Sequence, residues 1–579
     1  MSSQIEPYVP TIGSDRPGRL RPRRVARYLE RRRFLARAPA DALSSPDLEL
    51  TRQGGTYRLV RLQPGVLPAA VQQANLQRIV EVCEAQGIDH FVVPAPPAHQ
   101  PRVGVAAPDW ERLVDALVEL ASRQPLYAGV AARTPSGERR RWPALLSMPE
   151  VVRAARTQKQ LEVFEMVAPA RGARPYDRPY ACLVERWEPD ELDGLRAPSV
   201  NQRATYVRGA AREAVSRTVG GTEMRSLRAF EHPDVFDIDF PVDVVYLWVD
   251  GSDRAWQERK RAALARQGVV VPPVGSADER FRDHGELRYS FRSIDRFAPW
   301  VRNIYLVSDQ QVPGWLDVNH PRIRLVDHQE LFGDEGTAPT FNSHALGARL
   351  HRIEGLSEHY LYLNDDVFLG RLLGPSTFFH ANGMPKFFLS RSTLPMTEED
   401  DAAPHEQARR NVAELLQRDF GRLPGRTFFH TPIPQRRSLL TELEQRYPNE
   451  FSDTWHSQFR SGSDHEVNWW LHAYYGYLTG RAVPGSIRYD YFNLGLEGTE
   501  RRMARLLARR DLQAFCINDT AEATHAQHEV AAAWLAAYYP GPAAWEKAEE
   551  DSAPPQAPKE DGGARGDRRV ATPPDLSQG

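Results

Sequence analysis

Three apolar runs that each end in acidic residues constrain the fold of this chain more than any other feature. Residues 243–253 (DVVYLWVDGSD), 303–309 (NIYLVSD) and 359–366 (HYLYLNDD) each join β-branched and aromatic residues to an acidic turn. Runs of this length, bounded by turn residues, are typical of buried strands. In open α/β sheets, ligands bind beyond the carboxyl ends of the strands. The three runs therefore predict a sheet with an acidic site along one edge.

Length, charge and cysteine usage limit the class of protein. A chain of 579 residues is long enough for two or more domains, and its 74 basic and 76 acidic residues exclude a nucleic-acid-binding polycation. Cys83, Cys182 and Cys516 have no metal-binding spacing, which favours a reducing compartment over a zinc site. No window approaches the ~18 apolar residues of a membrane span, and no apolar leader follows the first charges. We expect a cytoplasmic protein.

The first 240 residues predict three regions. Residues 1–45 are rich in Arg and Pro, and indicate a flexible arm ending in a short surface helix. The alternative for this arm is peripheral contact with an anionic lipid surface at the inner face of the plasma membrane. Residues 46–140 alternate strand-like and helical segments, which predicts a small α/β domain, and residues 141–240 resemble an accessory or linker region. We expect residues 46–140 and 141–240 to support the fold or to bind an acceptor substrate.

Residues 241–547 are predicted to form the catalytic domain. Its fold class is α/β, with a central, mostly parallel sheet of Rossmann-like or GT-A-like type and helices on both faces. An acidic helical stretch at about residues 396–425 predicts an insertion over the site. The Pro-, Glu- and Gly-rich residues 548–579 predict a disordered tail.

Several candidate residues also have a structural interpretation. Asp253 is well placed to cap the helix that follows it, a role that requires no ligand. Arg288 and Arg292 lie four residues apart on one predicted helix face, where they can hold a phosphate or simply accompany core residues. His344 is either a satisfied interior histidine or a substrate contact.

The carboxylates at the strand ends predict a divalent cation. Acids that meet at one edge repel each other unless a cation neutralises them, and hard oxygen ligands such as Asp365, Asp366 and Asp519 suit Mg²⁺ or Mn²⁺. Such ions complete their coordination with waters and phosphates, which points to nucleotide chemistry. Arg460, together with Arg288 and Arg292, can pair phosphate oxygens. The chain has no P-loop or dinucleotide-binding loop near these strands, and phosphoryl transfer needs mainly positioning and charge neutralisation.

Four separated blocks resemble the Stealth proteins, a family that includes bacterial capsular-polysaccharide hexose-1-phosphate transferases and the catalytic subunit of the animal N-acetylglucosamine-1-phosphotransferase. The first block is DVVYLWVDGSD, and the second runs from ELRYSFRSIDRFAPWVRNIYLVSDQ to TFNSHALGARLHRIEGLSEHYLYLNDDVFLG. The third combines HTPIP with LEQRYPNEFSDTWHSQFRSGSDH, and the fourth is CINDT. The departures are Arg254, where the family usually has proline, and residues 1–240, which match no block.

The resemblance implies an enzyme that takes a nucleotide sugar, often UDP-N-acetylglucosamine, and transfers sugar 1-phosphate to a hydroxyl of a polysaccharide or glycan, releasing UMP. The product would serve as exopolysaccharide or another surface polymer. The same resemblance implies a site formed by seven residues, which are Asp243, Asp253, Asp365, Asp366, His430, Arg460 and Asn518.

We assign roles on that basis. His430 is the predicted general base, with Asp253 as the competing base and a structural role for His430 as the alternative. Asp366 and Arg460 complete the catalytic group, and the predicted substrate contacts are Asp243, Asp250, Arg288, Arg292, Asn364, His344 and Asn518. A metal-dependent glycosyltransferase that releases UDP and a non-catalytic carbohydrate-binding protein remain the alternatives.

Overall fold

The computed structural model of the chain describes residues 21–39, 43–53, 55–133, 139–267, 281, 283–335, 338–394, 403–520 and 522–548. The first part of the predicted arm, the beginning of the predicted insertion and almost all of the predicted tail therefore lie outside the described residues.

The first half of the chain contains thirteen described strands and four described helices. The helices are α1 (Arg21–Leu35), α2 (Pro68–Ala85), α3 (Trp110–Ala121) and α4 (Pro149–Thr157). The strands are β1 (Leu48–Gln53), β2 (Thr56–Leu62), β3 (His90–Val93), β4 (Arg102–Ala106), β5 (Leu126–Arg133), β6 (Arg139–Leu145), β7 (Gln160–Glu165), β8 (Val167–Ala168), β9 (Cys182–Pro189), β10 (Gly194–Arg196), β11 (Tyr206–Arg208), β12 (Ala214–Val219) and β13 (Thr222–Leu227).

An eight-stranded sheet organises this half. Six strands follow the order β11-β10-β9-β7-β5-β6, and the β3–β4 hairpin attaches through β4 to β9. Helices α2 and α3 bury Leu76, Ile79, Leu113 and Leu117 in the core beneath the sheet. The predicted boundary at residue 140 falls within β6, and the strands after it belong to the same sheet as those before it. The linker interpretation of residues 141–240 is thus corrected, because β7, β9, β10 and β11 are strands of this sheet.

The second half contains the predicted central sheet. Its strands are β14 (Val242–Leu247), β15 (Val301–Ser308), β16 (Ile323–Asp327), β17 (His359–Leu363) and β22 (Ile433–Arg436), in the order β16-β15-β14-β17-β22. The first four are parallel neighbours, and β22 is antiparallel to β17. The predicted α/β class with a mostly parallel sheet is confirmed.

Both faces of the central sheet are covered. Along β14, Val244 and Tyr246 enter one hydrophobic cluster and Val245 enters another, because successive side chains of a strand point to opposite faces. Helix α6 (Glu286–Phe297) packs on the first face, and α10 (Arg437–Arg446) packs on the second. A strand buried on both faces reads as a continuous apolar run, which explains its prominence in the sequence.

A smaller sheet extends the carboxyl edge. Its order is β18-β25-β24, with β18 (Val367–Leu369) antiparallel to β25 (Ala514–Asn518) and β24 (Tyr489–Asn493) parallel to it. The short remaining strands are β19 (Lys386–Phe387), β20 (Leu389–Thr393), β21 (Arg426–Phe428) and β23 (Val483–Pro484). Because β18 follows β17 after three residues, it carries the chain directly from the acidic turn into this second sheet.

The remaining helices surround the two sheets. They are α5 (Arg254–Gln267), α7 (His328–Phe332), α8 (Ser343–Gly347), α9 (Pro404–Phe420), α11 (Pro448–His456), α12 (His472–Leu478), α13 (Thr499–Arg509) and α14 (His525–Tyr538). The predicted insertion contains α9, whose Val412 and Leu416 are buried against the second cluster. Among the described helices, none has the length and apolar content that a membrane span requires.

Candidate functional site

The acidic turns meet at the carboxyl edge of the central sheet. β14 and β17 are parallel neighbours, so their ends lie side by side. Asp250 and Asp253 follow the first strand, and Asn364, Asp365 and Asp366 follow the second. The pairing of β18 with β25 brings the CINDT block to the same edge.

Three acids surround Asp365, which is half-buried. Burial raises the pKa of Asp365 well above its ordinary value, and the charges of Asp366, Glu286 and Asp283 raise that pKa further. Burial also raises the pKa of Glu286 to about 7. Such a group is stable only when protons or a cation reduce its charge. This cluster therefore fits the predicted divalent cation.

The two carboxylate oxygens of Asp366 have different surroundings. Oδ2 accepts a hydrogen bond from Sγ of Cys516 at 3.1 Å and lies 3.7 Å from Nδ1 of His430. Oδ1 is buried and accepts no hydrogen bond from the part of the chain that the structure describes. A buried acceptor without a donor is costly. Oδ1 is thus the atom best suited to a metal ion.

His430 is held on both sides of its ring. The amide Nδ2 of Asn364 lies 2.7 Å from Nε2, and because an amide nitrogen only donates, Nε2 accepts. The ring proton then resides on Nδ1, which lies 3.5 Å from Sγ of Cys516. The ring also stacks on Trp469, with centroids 5.9 Å apart. His430 is therefore fixed in orientation beside Asp366, as both predicted roles require.

Asp519 lies between two histidines. Nε2 of His528 is 2.8 Å from Oδ1 of Asp519, and Nε2 of His284 is 3.4 Å from Oδ2. The two imidazole rings stack with their centroids 4.0 Å apart. The side chain of Asn518 donates to the carbonyl oxygen of Asp519 at 2.9 Å, so it braces this turn.

The predicted metal ligands do not form one tight group. Within the described residues, two clusters have all their ligand atoms within 4.8 Å of one another, one of Asp366, His430 and Cys516 and one of His284, Asp519 and His528. Asp519 thus lies with imidazoles and not with the acids that follow β17. Nitrogen ligands suit Mn²⁺ or another transition metal better than Mg²⁺.

Arg460 lies beside the start of α8. Its Nη2 donates to Oγ of Ser343 at 2.8 Å. The buried hydroxyl of Tyr362 experiences the positive charge of Arg460 as well as the negative charges of Asp365 and Asp366. The role of Arg460 as a phosphate contact stays a prediction.

His344 has the interior role that was its alternative interpretation. It is buried, and its Nδ1 lies 3.2 Å from Oδ2 of Asp464. The same oxygen accepts a hydrogen bond from Asn342 at 2.8 Å. Burial lowers the pKa of His344, so it is a neutral partner of Asp464. The predicted substrate contact is corrected, because this polar network already satisfies the ring.

Asp243 lies at the opposite edge of the sheet from the acid cluster. It is fully buried at the amino end of β14 and accepts hydrogen bonds from Arg302 at 2.9 and 2.6 Å and from the backbone of Asn303 and Ser357 at 3.1 and 2.7 Å. The predicted substrate contact is corrected: Asp243 clamps the starts of three strands, and the strand itself separates it from the site.

Arg288 and Arg292 bind a carboxylate of the chain itself. Nε of Arg288 lies 2.6 Å from Glu546, and Nε of Arg292 lies 2.5 Å from the same buried side chain. Arg292 also donates to the carbonyl oxygen of Tyr539 at 3.3 Å. The predicted phosphate contacts are corrected, because the two charges neutralise Glu546 and fasten the end of the described chain to α6.

Asp250 and Asp253 stabilise the turn after β14. Asp253 caps α5 by accepting from the backbone of Ala255 at 2.9 Å, and Gln311 donates to its other oxygen at 3.0 Å. Asp250 accepts from the backbone and hydroxyl of Ser252 at 2.8 and 2.6 Å. The hydrogen bond from Gln311 lowers the pKa of Asp253, which makes it a weak base.

Five site residues were missed as candidates: Asp283, His284, Glu286, Cys516 and His528. Asp283 and His284 lie in the turn before α6, and Glu286 is the first residue of that helix. In this turn Gly285 has a φ of 87° and donates its backbone N–H to Asp283 at 2.7 Å. Sequence spacing gave no indication that this turn approaches Asp365. One sequence pattern could have indicated Cys516: side chains alternate along β25, so Cys516 lies on the same face as Asn518.

Models of the four conserved regions of Stealth proteins match this chain. Conserved region 1 matches residues 240–268, region 2 residues 280–387, region 3 residues 429–477 and region 4 residues 504–557. These ranges contain the turns and strands that build the site described above.

Curated relatives extend the match beyond those regions. An exopolysaccharide phosphotransferase of Streptomyces coelicolor is 39% identical over 510 residues, covering 85% of each chain. The exopolysaccharide phosphotransferase CpsY of Mycobacterium tuberculosis is 31% identical over 529 residues, covering 89% of this chain and 94% of its own. Among solved structures, the galactosyltransferase LgtC aligns over 50% of this chain and 95% of its own at 12% identity with a TM-score of 0.27, which is too low to support an inference.

Proposed function

We propose that this chain, which belongs to the Stealth family, is a phosphotransferase that moves sugar 1-phosphate from a nucleotide sugar to a glycan hydroxyl. The product is a phosphodiester and the released nucleotide is UMP. The observation that carries the proposal is Asp366, one oxygen of which is buried without a donor among the described residues, while the other lies beside His430. Its curated relatives are named exopolysaccharide phosphotransferases, which agrees with this chemistry.

The acid cluster would bind the diphosphate of a UDP-sugar. Asp365 and Asp366 would hold Mg²⁺ or Mn²⁺, with Asp519 and its two histidines as a second candidate position. A bound divalent cation supplies charge neutralisation at the diphosphate. Arg460 would pair the phosphate oxygens on the other side, since a guanidinium matches their geometry.

The reaction forms one P–O bond and breaks another. The acceptor oxygen attacks the β-phosphorus, which bears the sugar, and the bond from that phosphorus to the bridging oxygen breaks, so UMP leaves. The acceptor proton passes to Nε2 of His430, where the hydroxyl takes the place of the Asn364 amide. The proton on Nδ1 faces Asp366, whose charge stabilises the imidazolium that forms.

His430 is the better base of the two predicted candidates. The hydrogen bond from Gln311 lowers the pKa of Asp253, and Asp253 is engaged as a helix cap. Its carboxylate therefore binds a proton weakly near neutral pH.

A cytoplasmic location follows from the donor, because nucleotide sugars are made there. Contact of the Arg-rich arm with a membrane stays a prediction, and within α1 the described Phe34 packs onto the first half of the chain.

One assay tests the proposed function. The protein is incubated with UDP-sugars, Mg²⁺ or Mn²⁺ and a glycan acceptor, and the released nucleotide is identified by chromatography. UMP is expected. Release of UDP would make the protein a glycosyltransferase, and release of neither nucleotide would leave a carbohydrate-binding protein. Asp366→Asn should abolish release, whereas the exposed Asp334→Asn is the matched control.

A further inference from the structure

A polar cavity lies between the two halves of the chain. It has a volume of about 70 Å³ and is lined from the first half by Arg174 and its neighbours and from the second half by residues after β18 and α13. We call it the arginine cavity, after the four arginines that line it, Arg174, Arg371, Arg509 and Arg510. None of the residues predicted for the active site lines this cavity.

Two strands connect the arginine cavity to the acid cluster. β18 begins after Asp366 and ends one residue before Gly370, which lines the cavity beside Arg371. β25 runs antiparallel to it, from the cavity side back to Asn518. Five residues at a strand rise of about 3.3 Å place the cavity at most about 17 Å from Asp366. One extended glycan can span that distance.

Two of the four arginines have structural partners. Arg174 donates to the carbonyl oxygen of Ala508, at the end of α13. Arg510 donates to the carbonyl oxygen of Ala537 at 3.2 Å and lies over the ring of Tyr538, 4.4 Å from its centroid. These contacts satisfy the carboxyl ends of α13 and α14, where cations are favoured. They explain the presence of two arginines but not of the others.

The other two arginines have fewer partners among the described residues. Arg371 makes no hydrogen bond or ion pair with any residue that the structure describes, although it is half-buried. Arg509 lies 3.6 Å from Asp511 and is 66% exposed. Nε of Arg510 is buried and has no acceptor among the described residues.

The cavity contains little negative charge to balance these cations. Among the described residues, Asp177 is the one acid that lines it, and Nη2 of Arg174 lies 3.7 Å from its carboxylate. Burial raises the pKa of Asp177, which favours its neutral form. Tyr176 and Tyr180 supply the remaining polar groups of the wall. A small cavity with excess guanidinium charge is complementary to a phosphate group.

We infer that the arginine cavity binds a phosphate group carried by the acceptor glycan, at a distance from the reacting hydroxyl. This inference rests on the proposed function, because a phosphodiester-forming enzyme that extends its own product meets an acceptor with phosphates along the chain. The cavity would hold an earlier phosphodiester while the growing end lies at Asp366. It would thereby select acceptors that are already phosphorylated.

Equilibrium binding tests the site without any turnover. Isothermal titration with EDTA present removes metal-dependent binding at the acid cluster. The ligands are a short glycan with one internal phosphodiester, the same glycan without phosphate, and inorganic phosphate. Wild-type protein should bind the phosphodiester glycan on the order of tenfold more tightly than the unphosphorylated one, since charge-assisted hydrogen bonds are strong. Equal affinities would overturn the inference, and binding of inorganic phosphate alone would show a site for free anions instead.

Variants separate the cavity from the active site. Arg371→Ala and Arg509→Ala should each remove most of the preference for the phosphodiester, while the exposed Arg153→Ala on α4 should leave it unchanged. Arg460→Ala should also leave it unchanged. If Arg460→Ala lost the preference for the phosphodiester and Arg371→Ala kept it, the phosphate would bind at the active site and the inference about the arginine cavity would be wrong.

Kinetics provide a readout that a structural role would not produce. Arg371→Ala should raise the KM for a phosphorylated acceptor by about tenfold without changing kcat, and should leave both constants unchanged for an unphosphorylated acceptor. A fall in kcat with both acceptors would indicate a folding defect and contradict the selective role. If neither the wild type nor any variant releases UMP but the wild type still prefers the phosphodiester glycan, the proposed function fails and the phosphate site stands.

Discussion

The thiol of Cys516 donates a hydrogen bond to Asp366 across paired strands, with Sγ 3.1 Å from Oδ2. The same thiol lies 3.5 Å from Nδ1 of His430, so a single cysteine orients the two residues on which the proposed chemistry depends. Burial raises the pKa of Cys516 well above its ordinary value, and the charge of Asp366 raises it further. Cys516 is therefore a neutral hydrogen-bond donor and not a nucleophile.

Alkylation tests the state of this thiol. Only the thiolate reacts readily, and burial raises the pKa of Cys83 as well, to about 12. We expect iodoacetamide at pH 8 to leave Cys516 and Cys83 unmodified in the native protein, as measured by mass spectrometry. The same protein unfolded in guanidinium is the control and should react at both positions. Rapid native alkylation at Cys516 would show that the thiolate is present.

Replacement of Asp365 should uncouple folding stability from metal binding. Asp365→Asn removes a carboxyl group whose ionised form is disfavoured by burial and by the neighbouring acids, so the metal-free variant should unfold at a higher temperature than wild type. Wild type should gain about 2.7 kcal/mol in free energy of unfolding at a Mg²⁺ or Mn²⁺ concentration 100 times the Kd, and the variant much less. Thermal unfolding with and without metal provides the measurement. A wild-type protein that does not respond to either ion contradicts the cation site.

The raised pKa of Glu286 gives the metal-free protein a defined dependence on pH. Its ordinary value is 4.5 and its folded value about 7, so the folded protein binds more protons between these values. The free energy of unfolding should then fall as the pH rises through this window, by on the order of 2 kcal/mol. Urea unfolding in EDTA at pH 5 and pH 8 measures the change. Glu286→Gln should show a smaller difference, and an unchanged difference would refute the assignment.

Loss of the imidazole at residue 430 should affect the chemical step. His430→Ala is expected to lower kcat by about 10²- to 10⁴-fold with little change in the KM for the nucleotide sugar, because a general base acts mainly in the transition state. His525→Ala, at a side chain that is 90% exposed, is the matched control. Near-wild-type turnover of a folded His430→Ala protein would support a purely structural role for the ring.

The clamp at Asp243 should control stability and not catalysis. Asp243→Asn places an amide N–H₂ among the donors of Arg302, Asn303 and Ser357, and should cost about 3–5 kcal/mol in free energy of unfolding. The fraction that folds should keep the wild-type KM for UDP-sugar. Denaturant unfolding and steady-state kinetics on the same preparation test both statements. A raised KM in stable protein would restore the substrate role that the resemblance implied.

The parallel sheet and the position of its site could be predicted from the sequence. The runs before Asp250, Asp309 and Asp365 are strands buried on both faces, so apolar residues occupy successive positions and the pattern is visible without a structure. The acids end these runs because the backbone leaves the sheet there. Asp365, Asp366, His430 and Arg460 were proposed in this way or through the family blocks, and the structure brings Asp366 and His430 within 3.7 Å of each other.

Only the tertiary structure distinguished the residues at the site from those that resemble them in sequence. Asp243 lies at the start of β14 and Asp250 follows the end of that strand, and only the carboxyl end faces the site. Arg288 and Arg292 have the spacing of a phosphate clamp, but their partner Glu546 lies more than 250 positions away in the chain. Likewise, His284 and Glu286 reach the acids through a turn whose direction no local pattern encodes. The sequence determined which elements form and where their polar ends lie, and long-range packing decided which of those polar groups remain available to a ligand.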